Sequence, residues 1–342
     1  MKTRLRPRRL ALATAVLATA GALFGTGFAP PGHGSAPRPT NILLMGTDER
    51  DTLTDAEKRR FHAGGQACGC TDVLMLVHLS ARRDRVTVVG LPRDSYAEIP
   101  AHRPDGGGAE RPAHAAKLNA AFQEGGPELA VRTVESMTGV SVDRYLQVDF
   151  RRFIDSVRDV DGVEVCTPRR LKDTTTGLDL SPGTHRLTGG RALQYVRSRH
   201  VDGSADLGRI QRQQRFLVQA LRRVQVRKVL SDPARATRMA RTLLGSGPQG
   251  FSVPELVELA GALHKLPASA TEFTTVPVSG FAPPEAGVGS ALVWDRGRAR
   301  TLFAAVREDR PLVRAGEEPR PDDPPTVVGS TTPVRGSAYA CG

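Results

Sequence analysis

The 342-residue chain lacks the motifs that most often announce a catalytic site. It contains no G-x-x-x-x-G-K-[ST], no G-x-G-x-x-G after a strand, no G-x-S-x-G and no H-E-x-x-H. P-loop nucleotide binding, dinucleotide binding, the hydrolase elbow and zinc proteolysis are therefore excluded as motif-based readings. Internal repeats are absent too, which removes solenoids and propellers. Cysteine is limited to Cys68, Cys70, Cys166 and Cys341, with one residue between the first two and no histidine at finger spacing, so a zinc finger does not fit. Lysine is scarce, since 42 of the 48 basic residues are arginine. With 39% hydrophobic and 25% charged residues, the chain is neither disordered, fibrous nor polytopic in a membrane.

What is present is positive charge, +12 from 48 basic and 36 acidic residues, carried by a group that stays ionised and forks onto phosphate or carboxylate. A polyanionic partner follows, and composition alone does not choose between nucleic acid, lipid and wall polymer. The first thirty residues narrow that choice. Lys2, Arg4, Arg6, Arg8 and Arg9 precede an uncharged run from Leu10 to Phe28. At about 1.5 Å per helical residue, this run approaches the roughly 30 Å hydrocarbon thickness of a bilayer. The positive flank puts the N-terminus in the cytoplasm and exports the rest. An uncleaved span is the reading adopted; a cleaved signal peptide is the competitor, with no clean A-x-A site before Pro30. Either way export argues against nucleic acid, and four cysteines in an exported chain fit two disulfides with three possible pairings.

Beyond a Gly/Pro/Ser-rich linker, short apolar runs at 41–46 and 73–79 and alternation at 85–91 predict strands, with a helix near 55–62 between the first two. Pro127 predicts a helix start and Gly139 its end. Further expectations are a strand at 145–149, a helix at 150–160 capped by Asp149, and a strand at 162–165. Asp206 reads as the N-cap of a long helix to about Arg227, followed by helices at 232–244 and 252–263, a strand at 272–278 and a helix at 295–306. The fold class expected is α/β: a three-layer α-β-α domain with a central mixed sheet and a late helical insertion, preceded by one transmembrane helix. The organisation is a cytoplasmic basic N-terminus (1–9), a signal anchor (10–29), a linker (30–38), an extracellular domain (39–310) and a Pro-rich C-terminal tail (311–342), disordered up to a tether at Cys341.

Two constellations carry chemistry. Asp48 follows the first strand and Asp72 precedes the second; they meet if those strands pair antiparallel or a loop folds back. Paired carboxylates at strand ends hold a hard cation such as Mg²⁺ beside phosphates; as isolated residues each is an ordinary turn or capping aspartate. Arg93 closes the third strand, while Arg197 and Arg199 lead towards the long helix. If extended, these two point to one side as a phosphate clamp, and if helical they diverge by about 200°. Asp206, Arg209 and Gln213 form one stripe bordering the apolar face of that helix. His78, inside a strand, reads as structural, and His200 as a supporting neighbour of the arginines.

In order, NILLMGTD (41–48), CTDVLMLVHL (70–79), VVGLPRDSY (88–96), KLNAAF (117–122), GVEVC (162–166) and ALQYVRSRHVDGSADLGRIQRQQRF (192–216) resemble the LytR–CpsA–Psr family of exported wall-assembly enzymes, over about residues 39–307. The resemblance implies a phosphotransferase of class 2.7.8. It would move a glycopolymer phosphate from a polyprenyl-pyrophosphate lipid to a peptidoglycan hydroxyl, the C6 hydroxyl of N-acetylmuramic acid, and release polyprenyl phosphate. It implies that Asp48 and Asp72 hold Mg²⁺, for which Mn²⁺ can substitute. Arg93, Arg197, Arg199 and Arg209 would grip phosphate, Lys117 and Gln213 would complete the pocket, and Asp206 would orient the arginines. The general base stays open between Asp94 and Asp72. Val73 stands where many members have threonine, which removes a hydroxyl near the metal. A lipid-binding protein or pyrophosphatase without ligase activity is the alternative, and an envelope-linked transcriptional regulator a remote one. The partners implied are the lipid-linked glycopolymer, peptidoglycan and the membrane through the N-terminal helix, with no nucleic acid.

Overall fold

A computed structural model describes residues 38–341 apart from 66, 246–249, 264 and 315–328. The basic N-terminus, the anchor, nearly all of the linker and the middle of the Pro-rich tail lie outside the described residues. Among the described residues no helix is long and apolar enough to cross a membrane. From Arg38 onward the chain forms one compact unit.

The centre is a six-stranded mixed sheet. Strand β1 (Thr40–Thr47) precedes helix α1 (Asp55–Arg60), which Thr54 and Glu57 start with a capping box. Strands β2 (Thr71–Leu79) and β3 (Val86–Gly90) follow. β1 runs antiparallel to β2, and β2 antiparallel to β3. Period-2 alternation divides the apolar side chains between two faces. Leu43, Met45, Leu74, Leu76 and Val89 enter one core, while Leu44, Met75, Val77 and Val88 enter another on the opposite face.

A hairpin of β4 (Tyr96–Ile99) and β5 (His114–Lys117) leads into α2 (Leu118–Thr138). Pro127 begins only the second half of this helix; residues 118–124 form a first half that the sequence reading left out. The two halves meet at Gly125 and Gly126, and Gly126 has φ 63°, a conformation that a side chain disfavours. Gly139, in the left-handed region, ends the helix as expected. Strand β6 (Arg144–Val148) pairs parallel with β1, and α3 (Phe150–Asp159) starts on an Asp149 cap that accepts from the Arg152 N–H at 2.8 Å.

Small strands come next: β7 (Val163–Thr167), β8 (Leu171–Asp173), β9 (Leu178–Leu180) and β10 (Gly183–Leu187), with β10 pairing to β7 and β9 to β8. Helices α4 (Gly189–Arg197), α5 (Ala205–Val226), α6 (Pro233–Leu244) and α7 (Val253–Leu263) follow. Strand β11 (Thr271–Thr275) joins β3 in parallel. The hairpin of β12 (Val278–Phe281) and β13 (Leu292–Trp294) replaces the end of the longer strand expected there, and α8 (Arg296–Arg307) starts on Asp295.

α2 and α8 cover one face of the sheet, burying Leu129, Val134, Phe303 and Val306. α5 and α7 lie over the other, with Leu217, Val218 and Leu259 against the strands. Gly90 lets α5 approach β3 closely, since a Cβ there would stand 2.4 Å from Ile210 Cγ2. The end of the chain is not loose: β14 (Val334–Arg335) extends the sheet beside β11, Tyr339 is buried, and Cys341 is bonded to Cys166. Cys68 pairs with Cys70. His78 is structural, between Asn41 Oδ1 at 2.7 Å and Asp309 Oδ1 at 3.0 Å.

Candidate functional site

Antiparallel pairing brings the end of β1 to the start of β2, with Thr47 opposite Thr71 and the Asp48 N–H donating to Cys70 O at 3.0 Å. The condition for Asp48 and Asp72 to approach is thereby met. Arg50 forks onto Asp48 with two bonds of 2.6 Å, and Arg93 donates to Asp72. Arg209 Nη1 lies 3.8 Å from Asp72, and its Nη2 donates to Asp206 at 2.9 Å. Arg199 Nε reaches the other Asp206 oxygen at 3.2 Å. Asp94 lies 3.6 Å from Arg93 and 3.3 Å from Lys117. Six of the nine residues singled out in the sequence (Asp72, Arg93, Lys117, Arg199, Asp206 and Arg209) thus join, with Asp94, in one chain of ion pairs, while Asp48 forms a separate pair with Arg50. Arg197 and Gln213 adjoin them on the wall of a shared cavity with Asp72 and Arg209.

Asp206 is not the N-cap of α5. Ser204 takes that position, and Asp206 lies in the first turn with its carboxylate turned to Arg199 and Arg209. Arg197 and Arg199 adopt neither of the two regular geometries considered. Arg197 is the last residue of α4, and Ser198 is extended (φ −61°, ψ 137°). The Arg197 guanidinium stacks over Phe150 at 4.9 Å and donates to His62 O at 3.1 Å, while Arg199 turns to Asp206. Gln213 donates its side-chain N–H to Val196 O at 3.0 Å, fixing the end of α4 on α5.

The bend is held from behind by groups that sequence reasoning missed. Asp173 accepts the backbone N–H of Arg199 at 2.8 Å and of His200 at 3.1 Å. Burial pushes its carboxyl upward, but these bonds and two from Thr175 and Thr176 outweigh burial and hold it below the usual carboxylate range. Arg212, itself buried, pairs with Asp202 at 2.5 Å and donates to Ser198 O at 2.6 Å. Arg50 was missed as well, though its place two residues after Asp48 was a usable signal.

Six cations (Arg50, Arg93, Lys117, Arg197, Arg199, Arg209) face four carboxylates (Asp48, Asp72, Asp94, Asp206), so the cluster keeps an excess of positive charge. Burial lowers the Arg209 guanidinium to about 10 against the opposing pull of Asp206 and Asp72. Burial, and then Arg50, lower Arg197 too. The buried Arg93 Nε, Arg199 Nη2 and Arg209 Nε make no hydrogen bond. Buried donors without acceptors are costly, and an anion with several oxygens would satisfy them.

The cluster borders one end of a cavity of about 400 Å³ between the sheet and α3, α5, α6 and α7. Its polar lining includes Asp72, Arg197, Arg209 and Gln213; its walls are apolar, with Leu44, Met75, Val88, Leu217, Leu243 and Leu259. No periodicity in the sequence reports such a space, because it arises where the apolar faces of separate elements stand apart. The shape and chemistry suit an amphiphile with an anionic head. Among the described residues no group of three or more His, Cys, Asp or Glu side chains is arranged to hold a metal ion. Asp48 and Asp72 nonetheless offer the hard oxygen donors that suit an ion whose remaining ligands are water and phosphate.

Residues 29–295 match the LytR_cpsA_psr family. "Probable cell wall biosynthesis protein LcpB" of Corynebacterium glutamicum is 35% identical over 271 residues, covering 78% of this chain and 61% of that protein. The polyisoprenyl-teichoic acid–peptidoglycan teichoic acid transferase TagU of Oceanobacillus iheyensis is 31% identical over 181 residues, 53% of this chain and 50% of that one. The matches thus span between half and three fifths of these relatives. Among solved structures, Bacillus subtilis TagT with bound octaprenyl pyrophosphate superposes with a TM-score of 0.55 at 22% identity, over 81% of this chain and 92% of that one, a likeness of fold.

Proposed function

The chain belongs to the LytR_cpsA_psr family, and from that premise we propose that it is a cell-wall phosphotransferase. It takes a glycopolymer phosphate from a polyprenyl-pyrophosphate carrier and attaches it to a peptidoglycan hydroxyl, the C6 hydroxyl of N-acetylmuramic acid. The observation that carries this reading is the continuity of an arginine-rich mouth with an apolar cavity, which suits a lipid pyrophosphate with its head among the arginines and its tail along α5. In the reaction the acceptor oxygen bonds to the glycan-side phosphorus. The bond from that phosphorus to the bridging oxygen breaks, and polyprenyl phosphate leaves with the electron pair.

Such a transfer needs positioning and neutralisation of charge more than covalent participation by the protein. Arg93, Arg199 and Arg209 present buried N–H groups to the phosphates, Arg197 completes the clamp, and Lys117 neutralises from the rim. Asp206 keeps Arg199 and Arg209 side by side. Asp48 and Asp72 would hold Mg²⁺, or Mn²⁺ in its place, which when bound withdraws charge from the pyrophosphate oxygens. The acceptor proton passes to a carboxylate of the cluster, for which Asp72 and Asp94 are the candidates. Residues 10–29 would anchor the protein, with 1–9 in the cytoplasm and the folded unit outside the cell. The test is a co-crystal with a polyprenyl pyrophosphate: the phosphates are expected on Arg93, Arg197 and Arg199, and phosphates elsewhere overturn the site.

A further inference from the structure

The positive charge that is not in the leader or the mouth is concentrated. Residues 222–241 carry Arg222, Arg223, Arg227, Lys228, Arg235, Arg238 and Arg241 against the single carboxylate of Asp232. That carboxylate, exposed, is engaged in capping α6, accepting the Ala234 N–H at 2.9 Å. From the neighbouring element Asp161 meets Arg223 at 3.2 Å and Arg227 at 3.5 Å, and Asp159 accepts the Thr242 hydroxyl at 2.9 Å. These carboxylates leave most of the strip uncompensated: Arg222, Lys228, Arg238 and Arg241 are exposed without an acidic partner among the described residues. Leaving aside the five leader cations, this one stretch holds nearly all of the chain's net positive charge.

An apolar residue stands among the cations. Val226 is 71% exposed, one turn beyond Arg222 on α5. The stretch is also the outer wall of the cavity's far end. α5 lines the cavity from Arg209 at the mouth to Gln225, about 24 Å along the helix axis. Leu230, Met239 and Leu243 close it from the turn after α5 and from α6. An exposed apolar tip set among cations is the pattern of a surface that rests on a bilayer, the cations at the headgroups and the tip below them.

We propose that the surface formed by residues 222–241 docks on an anionic phospholipid bilayer and sets the far end of the cavity against it. Charge complementarity calls for an anionic surface. The choice of a bilayer over a soluble polyanion rests on Val226 and on the lipid reading of the cavity given above.

The unit from Arg38 onward contains every core described above, so it is tested without the leader. It is mixed with phosphatidylcholine vesicles with and without phosphatidylglycerol, and sedimentation measures the bound fraction. Binding is expected only to the anionic vesicles, to weaken as salt is raised, and to fall about tenfold or more in K228E/R238E/R241E. V226D is expected to lower vesicle binding but not binding to soluble polyphosphate. Equal binding to neutral vesicles, no effect of the charge reversals, or vesicle binding indifferent to V226D overturns the proposal. Capture of polyprenyl pyrophosphate in detergent is read on the same variants. Intact capture shows that the fold and mouth survive, while failure of capture by the unaltered unit tells against the transferase reading and leaves the vesicle result to judge this surface.

Discussion

Arg209 is the most deeply buried cation of the mouth, 3% exposed, and its removal tests whether the arginines act as an electrostatic clamp. In Arg209→Ala neither carboxylate partner loses its last cation, because Asp206 keeps Arg199 at 3.2 Å and Asp72 keeps Arg93. The structural cost should therefore fall below the roughly 3–5 kcal/mol of breaking an isolated buried pair. The catalytic cost is separate from it and is read as rate. Arg209 supplies one preorganised donor, its unpartnered Nε, together with a charge already desolvated before substrate arrives. Loss of one such donor costs about 10²–10³ in rate, or ~2.7–4 kcal/mol. Arg209→Lys keeps a charge but loses the fork, and should recover only part of the rate. Release of polyprenyl phosphate from a lipid-linked donor gives the rate, and calorimetry on the same samples gives stability. A rate within about threefold of the unaltered protein would refute the clamp. So would a loss accounted for entirely by unfolding.

Other expectations follow from the supporting residues and the cavity. Asp202→Ala strands the Arg212 guanidinium in the interior and should cost about 3–5 kcal/mol, visible as a lowered unfolding midpoint; an unchanged midpoint contradicts the assigned pairing. Asp173 has a carboxyl held below its ordinary value, so its contribution is complete above the usual carboxylate range and is lost as pH falls through the lowered value. In Asp173→Asn the acid limb of stability against pH should flatten, with little change in slope at neutral pH. Ala260→Trp pushes an indole into the apolar cavity and should abolish retention of polyprenyl pyrophosphate while sparing inorganic pyrophosphate; equal loss of both ligands would mean that the cavity does not hold the tail.

The main elements were legible because their patterns are long or locally signed. Short apolar runs mark β1 and β2, alternation marks β3, Asp149 caps α3, and Gly139 closes α2. Shorter elements such as β8 and β9, three residues each, carry too few alternations to register. The first half of α2 was hidden because Pro127 reads as the first turn of a helix, whereas the chain turns at Gly125 and Gly126 and resumes there a helix that began at Leu118. In the site, sequence named the carboxylates and arginines but not how they join. The approach of Asp48 to Asp72 depends on strand pairing, and Asp206 looked like a cap because a helix start and an ion-pair partner call for the same residue type. Asp173, Asp202 and Arg212 act through folded geometry, on backbone groups of Ser198, Arg199 and His200 that no spacing rule identifies.

The central claim is a transfer, not capture or hydrolysis. The purified protein is incubated with a polyprenyl-pyrophosphate-linked glycopolymer, peptidoglycan and Mg²⁺, and both products are followed. The account predicts polyprenyl phosphate and a glycopolymer joined to peptidoglycan through one phosphodiester, formed in equal amounts. Polyprenyl phosphate released without that conjugate would contradict it and identify the protein as a pyrophosphatase.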